Sequence, residues 1–185
     1  MNATKQHLVA LSAIAGVTCA VAGCASQQRA SGAYTDRDAI GHIEITRAAG
    51  RSAQSQAGTS DHFTGAAAVS MLYAPNAHRH ASSATVAFEP SARTVWHSHP
   101  AGQTLVVTHG SGWVQSWGSA KLQMSEGDVV WIPPNVKHWH GATATERMTH
   151  VATQEQLDGE VVEWMEPVTD AQYGGPSSGE QRGRR

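Results

Sequence analysis

Histidines two residues apart, twice over, are the chemistry this sequence offers. His97 and His99 stand in Trp96-His97-Ser98-His99-Pro100-Ala101-Gly102-Gln103, and His138 and His140 in Lys137-His138-Trp139-His140. Residues two apart on a β-strand face the same way, so each pair can aim two imidazoles at one point. Imidazole is the commonest borderline metal ligand, and Gln103 adds a neutral carbonyl oxygen. His97, His99, His138 and Gln103 together would hold a divalent metal with positions left open. Such a set has no anionic ligand, so the ion keeps its full double charge, polarises a bound hydroxyl or carbonyl and welcomes an anion. His140 shares the face of His138 and, with an unperturbed pKa of about 6.5, suits a general base at neutral pH.

Short β-rich runs must position these residues. Ala66 to Tyr73 reads as a first strand, and Ala84 to Phe88 alternates before the turn at Glu89-Pro90-Ser91-Ala92. Arg93 to His97, Thr104 to Thr108, Trp113 to Trp117, Lys121 to Met124, Val129 to Ile132 and Val136 to His140 follow, separated by Gly, Pro, Ser and Asn turn signals. Thr149 to Ala152 and Val161 to Trp164 close the series, and no stretch sustains a helical period. Many short strands at even spacing predict an all-β sandwich or barrel. Trp96, Trp131 and Trp139 are read as core. Ala84 and Val86 are small enough to leave room for a ligand, and Gln154 is read as facing the same cavity. His42, His62, His78, His80 and His109 have no ligand spacing and are read as structural or exposed.

The flanks differ in composition from this region. The 185 residues suit one domain with tails. Positions 1–23 read as a secretory signal: one Lys, an apolar run from Leu8 to Ala22, then Val21-Ala22-Gly23-Cys24, which resembles the lipobox of bacterial lipoproteins. Cys24 would then carry the lipid, placing the protein in the bacterial cell envelope, held to a membrane facing the periplasm without spanning it. The other of the two cysteines, Cys19, falls inside the signal, so no disulfide is expected within the domain. Positions 24–60 read as a tether, with Ile40 to Thr46 as one short strand within it. Positions 61–173 form the domain, and 174–185 a disordered tail. Charge is nearly balanced at −2, with no basic patch beyond the last positions, which gives nucleic-acid binding no electrostatic support.

The motifs are similar to those of the cupin superfamily. Its first motif matches His97-Ser-His99, Gln103 and Gly110; its second matches Gly127, Pro133, Asn135, His138 and Ala142. Ser91 stands where the first motif opens with Gly, Asn135 replaces a turn Gly, Ala142 replaces Asn, and Gln103 replaces the usual Glu. Asn enters the left-handed region readily, which suits it to that turn. The resemblance implies a double-stranded β-helix, the jelly-roll barrel, with a metal in its mouth.

A narrower resemblance runs from Phe88 to Tyr173, in His97-Ser-His-Pro-Ala-Gly-Gln-Thr-Leu, Gly127-Asp-Val-Val-Trp-Ile-Pro-Pro and Lys137-His-Trp-His-Gly-Ala. These resemble small bacterial cupins with (R)-selective hydroxynitrile lyase activity. That likeness implies manganese held by His97, His99, Gln103 and His138, with His140 and His150 beside it in catalysis. Iron or zinc also fit such a donor set. The implied reaction cleaves or forms a carbon–carbon bond, cyanohydrin to aldehyde plus cyanide, on a small-molecule substrate in a homo-oligomer. An iron-dependent dioxygenase and a non-catalytic periplasmic binding module are the alternative readings.

Overall fold

The computed structural model describes residues 43–52 and 54–177. Cys24 and the apolar segment before it lie outside the described residues. After an extended stretch with Ile43 and Ile45 exposed, and no strand there, comes the one-turn α1 (Ala48–Ser52). The strands follow in order: β1 (Gln56–Ala57), β2 (Phe63–Thr64), β3 (Ala67–Tyr73), β4 (Ala81–Phe88), β5 (Arg93–Thr94), β6 (His97–Ser98), β7 (Gln103–Ser116), β8 (Leu122–Ser125), β9 (Val129–Ile132), β10 (His138–Ala142), β11 (Met148–Glu155) and β12 (Glu163–Trp164). A second short helix, α2 (Asp170–Tyr173), closes the described chain. The sheet therefore reaches back to Gln56, inside the segment read as tether.

All strand pairs are antiparallel, and two sheets share β7. One sheet runs β1-β3-β4-β11-β7-β9; the other joins β2, β5, β10, β7 and β8, with β6 between β10 and β12. The sequence splits β7 at His109-Gly-Ser-Gly112, but it is one strand of 14 residues that passes from sheet to sheet. The register shifts where Thr149 pairs His109 and His150 pairs Val107, leaving Thr108 as the extra residue. One extra residue reverses the alternation, so Gln103, Leu105 and Val107 point inward before the corner, and Gly112 and Val114 after it. Gly110 makes the corner: its φ is +71°, and a Cβ there would lie 1.9 Å from the Arg147 carbonyl oxygen.

Ser91 and Asn135, the two departures from glycine in the motifs, both adopt left-handed backbone, with φ of 68° and 60°. The main core lies between the sheets and includes Phe88, Leu105, Val107, Met124 and Met148. A smaller cluster of Trp96, Trp139 and Val168 covers the outer face of β10, which is why all five of its residues are buried. The chain after β12 makes this cover. Arg93 pairs with Asp170 at 2.7 Å, Thr169 and Gln172 form a capping box on α2, and the Pro176 carbonyl accepts from Lys121 N–H. Pro176 and Ser177, read as part of the tail, thus lie against Lys121, the residue before β8. Trp131 departs from the core reading: it is 58% exposed.

Candidate metal and catalytic site

The inward residues of four strands meet at one end of the barrel. His97 comes from β6, Gln103 from the start of β7, His138 and His140 from β10, and His150 and Gln154 from β11; His99 follows β6 directly. His138 is the paired partner of His97 across β6 and β10, which sets their rings 4.2 Å apart. His140 is held by its N–H, which donates to Thr94 Oγ1. All five imidazoles are buried.

Hydrogen bonds fix which nitrogen of each ring faces inward. Nδ1 of His97 donates to the Val95 carbonyl at 2.9 Å, that of His99 to Val161 at 2.7 Å, and that of His138 to Val136 at 2.8 Å. Each bond leaves the lone pair on Nε2, as a metal ligand requires. Gln103 is oriented in the same way. Its Nε2 donates to Gln154 Oε1 at 3.3 Å, while Gln154 Nε2 donates to Ser82 Oγ at 3.1 Å. Gln103 Oε1 therefore faces His138 Nε2 at 3.2 Å, acceptor against acceptor. His99 Nε2 and His140 Nε2 are buried without a partner. A divalent cation fits His97, His99, His138 and Gln103, since it would satisfy their convergent lone pairs, and His140 Nε2 stands beside them.

One ring nitrogen from each of His97, His138 and His140 lies within 4.8 Å of the other two. This trio contains His140, where the expected ligand set has His99. His99 stands somewhat apart, with its ring centroid 5.2 Å from that of His97 and 5.7 Å from that of His138. His140 has a second partner, because its Nδ1 meets His150 Nε2 at 3.1 Å, and one proton between the two neutral rings makes that bond.

Burial governs the charge of these rings. It holds His97 well below the ordinary value, with His138 adding to the effect, and does the same to His140, with His150 adding to it. Burial lowers His99 as well, and brings His138 and His150 down to about 4. Desolvation disfavours each imidazolium, so at neutral pH the site presents five uncharged imidazoles.

The cavity above them measures about 220 Å³. Ala84 and Val86 of β4 and Gln154 of β11 line it, together with His97, His99, Gln103 and His140. His138 and His150 lie behind this surface. Val69, Met71, Phe63, Thr94, Val162 and Trp164 complete the wall, and so does His62, which the sequence reading set aside. His62 stacks on Trp164 with ring centroids 4.3 Å apart, and Trp164 packs over His97 at 4.9 Å. No motif marks these wall residues, which come from β2, β3, β5 and the chain at β12. The one signal for Trp164 is structural: β12 pairs it with His97. Among the described residues no Asp, Glu, Lys or Arg lines the cavity, which suits a small uncharged ligand.

The family described as Cupin domain matches residues 84–153. The (R)-mandelonitrile lyase of Granulicella tundricola is 53% identical over 116 residues, 63% of this chain and 88% of that protein. The crystal structure of a cupin-like protein from Thermotoga maritima is 44% identical, with a TM-score of 0.63, covering 66% of this chain and 93% of that one. A cupin 2 conserved barrel domain protein from Rhodopseudomonas palustris shares the fold alone, at 15% identity and a TM-score of 0.50, over 63% of this chain and 77% of its own.

Proposed function

This chain belongs to the cupin family, and on that premise we propose that it is a metal-dependent lyase that splits a cyanohydrin into an aldehyde and cyanide. The observation that carries the reading is the buried His140–His150 pair beside a set of neutral, convergent donors. Identity to a protein named as a mandelonitrile lyase supports it. His97, His99, Gln103 and His138 would hold the metal, with manganese the first choice and iron or zinc the others. When bound, the metal supplies Lewis acidity, which makes the substrate hydroxyl more acidic.

The remaining work belongs to the side chains. His140 lines the cavity and His150 lies behind it, so His140 Nε2 is the atom placed to take the hydroxyl proton as the carbon–carbon bond breaks. Its Nδ1–H then donates to His150 Nε2, which spreads the charge over two rings. Gln154 and Ser82 keep the Gln103 oxygen turned inward. Ala84 and Val86 leave space for the substrate body, and Phe63 and Trp164 give it an aromatic wall.

The same proposal places the protein in the bacterial cell envelope, anchored through acylated Cys24. Its support is the apolar segment ending in Val21-Ala22-Gly23-Cys24. Racemic mandelonitrile given to manganese-loaded protein is expected to release benzaldehyde, with none released after metal removal. Release at an equal rate without metal would refute the reading. Oxygen uptake with phenols or thiols, and no benzaldehyde, would replace it with the dioxygenase.

A further inference from the structure

The wall of the 220 Å³ cavity sorts by depth. His97, His99, Gln103 and His140 are buried at its inner end. Phe63, Val69, Met71, Val162 and Trp164 are half-buried or exposed and make its outer part. That outer part is apolar except for one ring, the half-buried His62, which the reaction as described does not use. Its place is fixed. The His62 N–H donates to the Thr59 carbonyl at 3.1 Å, and its own carbonyl accepts from Val95 N–H at 2.9 Å. Its ring lies on Trp164, only 17° from parallel. One face of the imidazole is thereby covered, while its edge carries two nitrogens for which no described residue supplies a hydrogen-bond partner. Gln154, another half-buried polar side chain of the wall, is already committed to Gln103 and Ser82.

We infer that His62 is a specificity-determining residue, which hydrogen-bonds a hydroxyl group on the aromatic ring of the substrate. The inference rests on the lyase reading and narrows the substrate to the cyanohydrin of a single-ring hydroxyaryl aldehyde. The cyanohydrin carbon belongs at the buried end beside His140, so the body of the molecule reaches outward along Phe63 and Trp164 to His62. A neutral imidazole has one N–H donor and one acceptor, and a hydroxyl has the same pair, so the two are matched. Trp164 adds an indole N–H but no acceptor. A charged substituent is disfavoured, because among the described residues no Asp, Glu, Lys or Arg lines the cavity to pair with it. Size sets a further limit. The cavity of about 220 Å³ is smaller than the roughly 300–1,000 Å³ typical of sites for drug-sized ligands, which suits one ring. The stack on Trp164 holds the imidazole in advance, so little freedom is lost when the hydroxyl binds.

The test uses the manganese-loaded full chain and ligands that cannot be cleaved: 3- and 4-hydroxybenzyl alcohol against benzyl alcohol, by titration calorimetry. One hydroxylated isomer is expected to bind about fivefold more tightly than benzyl alcohol, the worth of one net hydrogen bond. His62→Phe keeps a flat ring against Trp164 but no hydrogen-bonding edge, and should bring that ratio to about one while the circular dichroism spectrum holds. In turnover, the matching hydroxymandelonitrile should show its advantage over mandelonitrile in KM rather than kcat, as an interaction remote from the reacting bond does. Equal affinity for all three alcohols in the parent, or a preference that survives His62→Phe, would overturn the assignment. Failure to release aldehyde from any of these cyanohydrins would refute the lyase reading instead, and the calorimetric ratio would still decide for or against His62.

Discussion

The two ends of the barrel are built by the same strands and do opposite things. On β11 the inward residues run Met148, His150, Ala152, Gln154; on β4 they run Phe88, Val86, Ala84, Ser82. On β10 they run Ala142, His140, His138. At the Met148 and Phe88 end they interlock with Leu105, Val107 and Met124 as a dry core. At the other end the residues shrink or become polar, and the space they leave is the 220 Å³ cavity. One alternation thus serves packing and chemistry in turn. The packed end stabilises the fold, and the histidine end gives up part of that stability to bury polar groups whose lone pairs suit a cation.

Substitution at each end should break this comparison in different ways. The largest effect is expected at the histidine end. His138→Ala removes a ligand and the acceptor facing Gln103, and should weaken metal binding by more than the roughly 10–100-fold that disturbing an orienting partner costs; titration calorimetry with manganese reads it. Its effect on the urea midpoint of the metal-free protein should be small or stabilising. Leu105→Ala reverses the pattern. It should cost about 2–5 kcal/mol in urea unfolding while the metal affinity of the folded protein holds.

A pH series sharpens the same contrast. Because burial lowers the folded pKa of these histidines, the unfolded chain binds more protons below about pH 6.5. Stability of the metal-free protein is therefore full above that pH and falls as pH drops towards about 4, where His138 and His150 also protonate in the folded state. Each such histidine contributes up to about 1.4 kcal/mol per pH unit. Urea unfolding at several pH values should show that slope in the parent and an equal slope, displaced downward, in Leu105→Ala. A flat profile would mean that the imidazoles are not desolvated.

The smallest effect is expected at the turn before β10. Asn135 has a φ of 60°, and its N–H donates to the His99 carbonyl. Asn135→Gly should leave stability nearly unchanged, and Asn135→Ala should cost about 1–2 kcal/mol, read by thermal unfolding.

Some of this was written plainly in the sequence and some was not. The His-x-His spacing, Gln103 and the second pair at His138 were legible because a strand's two-residue period puts alternate side chains on one face. The small residues Ala84 and Val86 were legible for the same reason. Alternation names a face, however, and not what covers it. Trp131 alternates as a core residue would, yet no described strand lies beyond it. The extra residue at Thr108 was hidden because a bulge needs no special residue beyond the glycine that follows. His62 and Trp164 were invisible as site residues, since the pairing of β12 with β6 brings Trp164 to the cavity and His62 reaches it through its bond to Val95 and its stacking on Trp164. The pairing of His140 with His150 was likewise beyond reach of spacing. Those residues stand ten apart on different strands, and only the curl of the two sheets brings them together.

That pair carries the central claim, and one substitution tests it most directly. In manganese-loaded His140→Ala, mandelonitrile cleavage should fall by about 10²–10⁴-fold while metal content, measured on the same sample, stays that of the parent. Full turnover in that variant, or loss of the metal with the turnover, would contradict a separate base beside a neutral-ligand site.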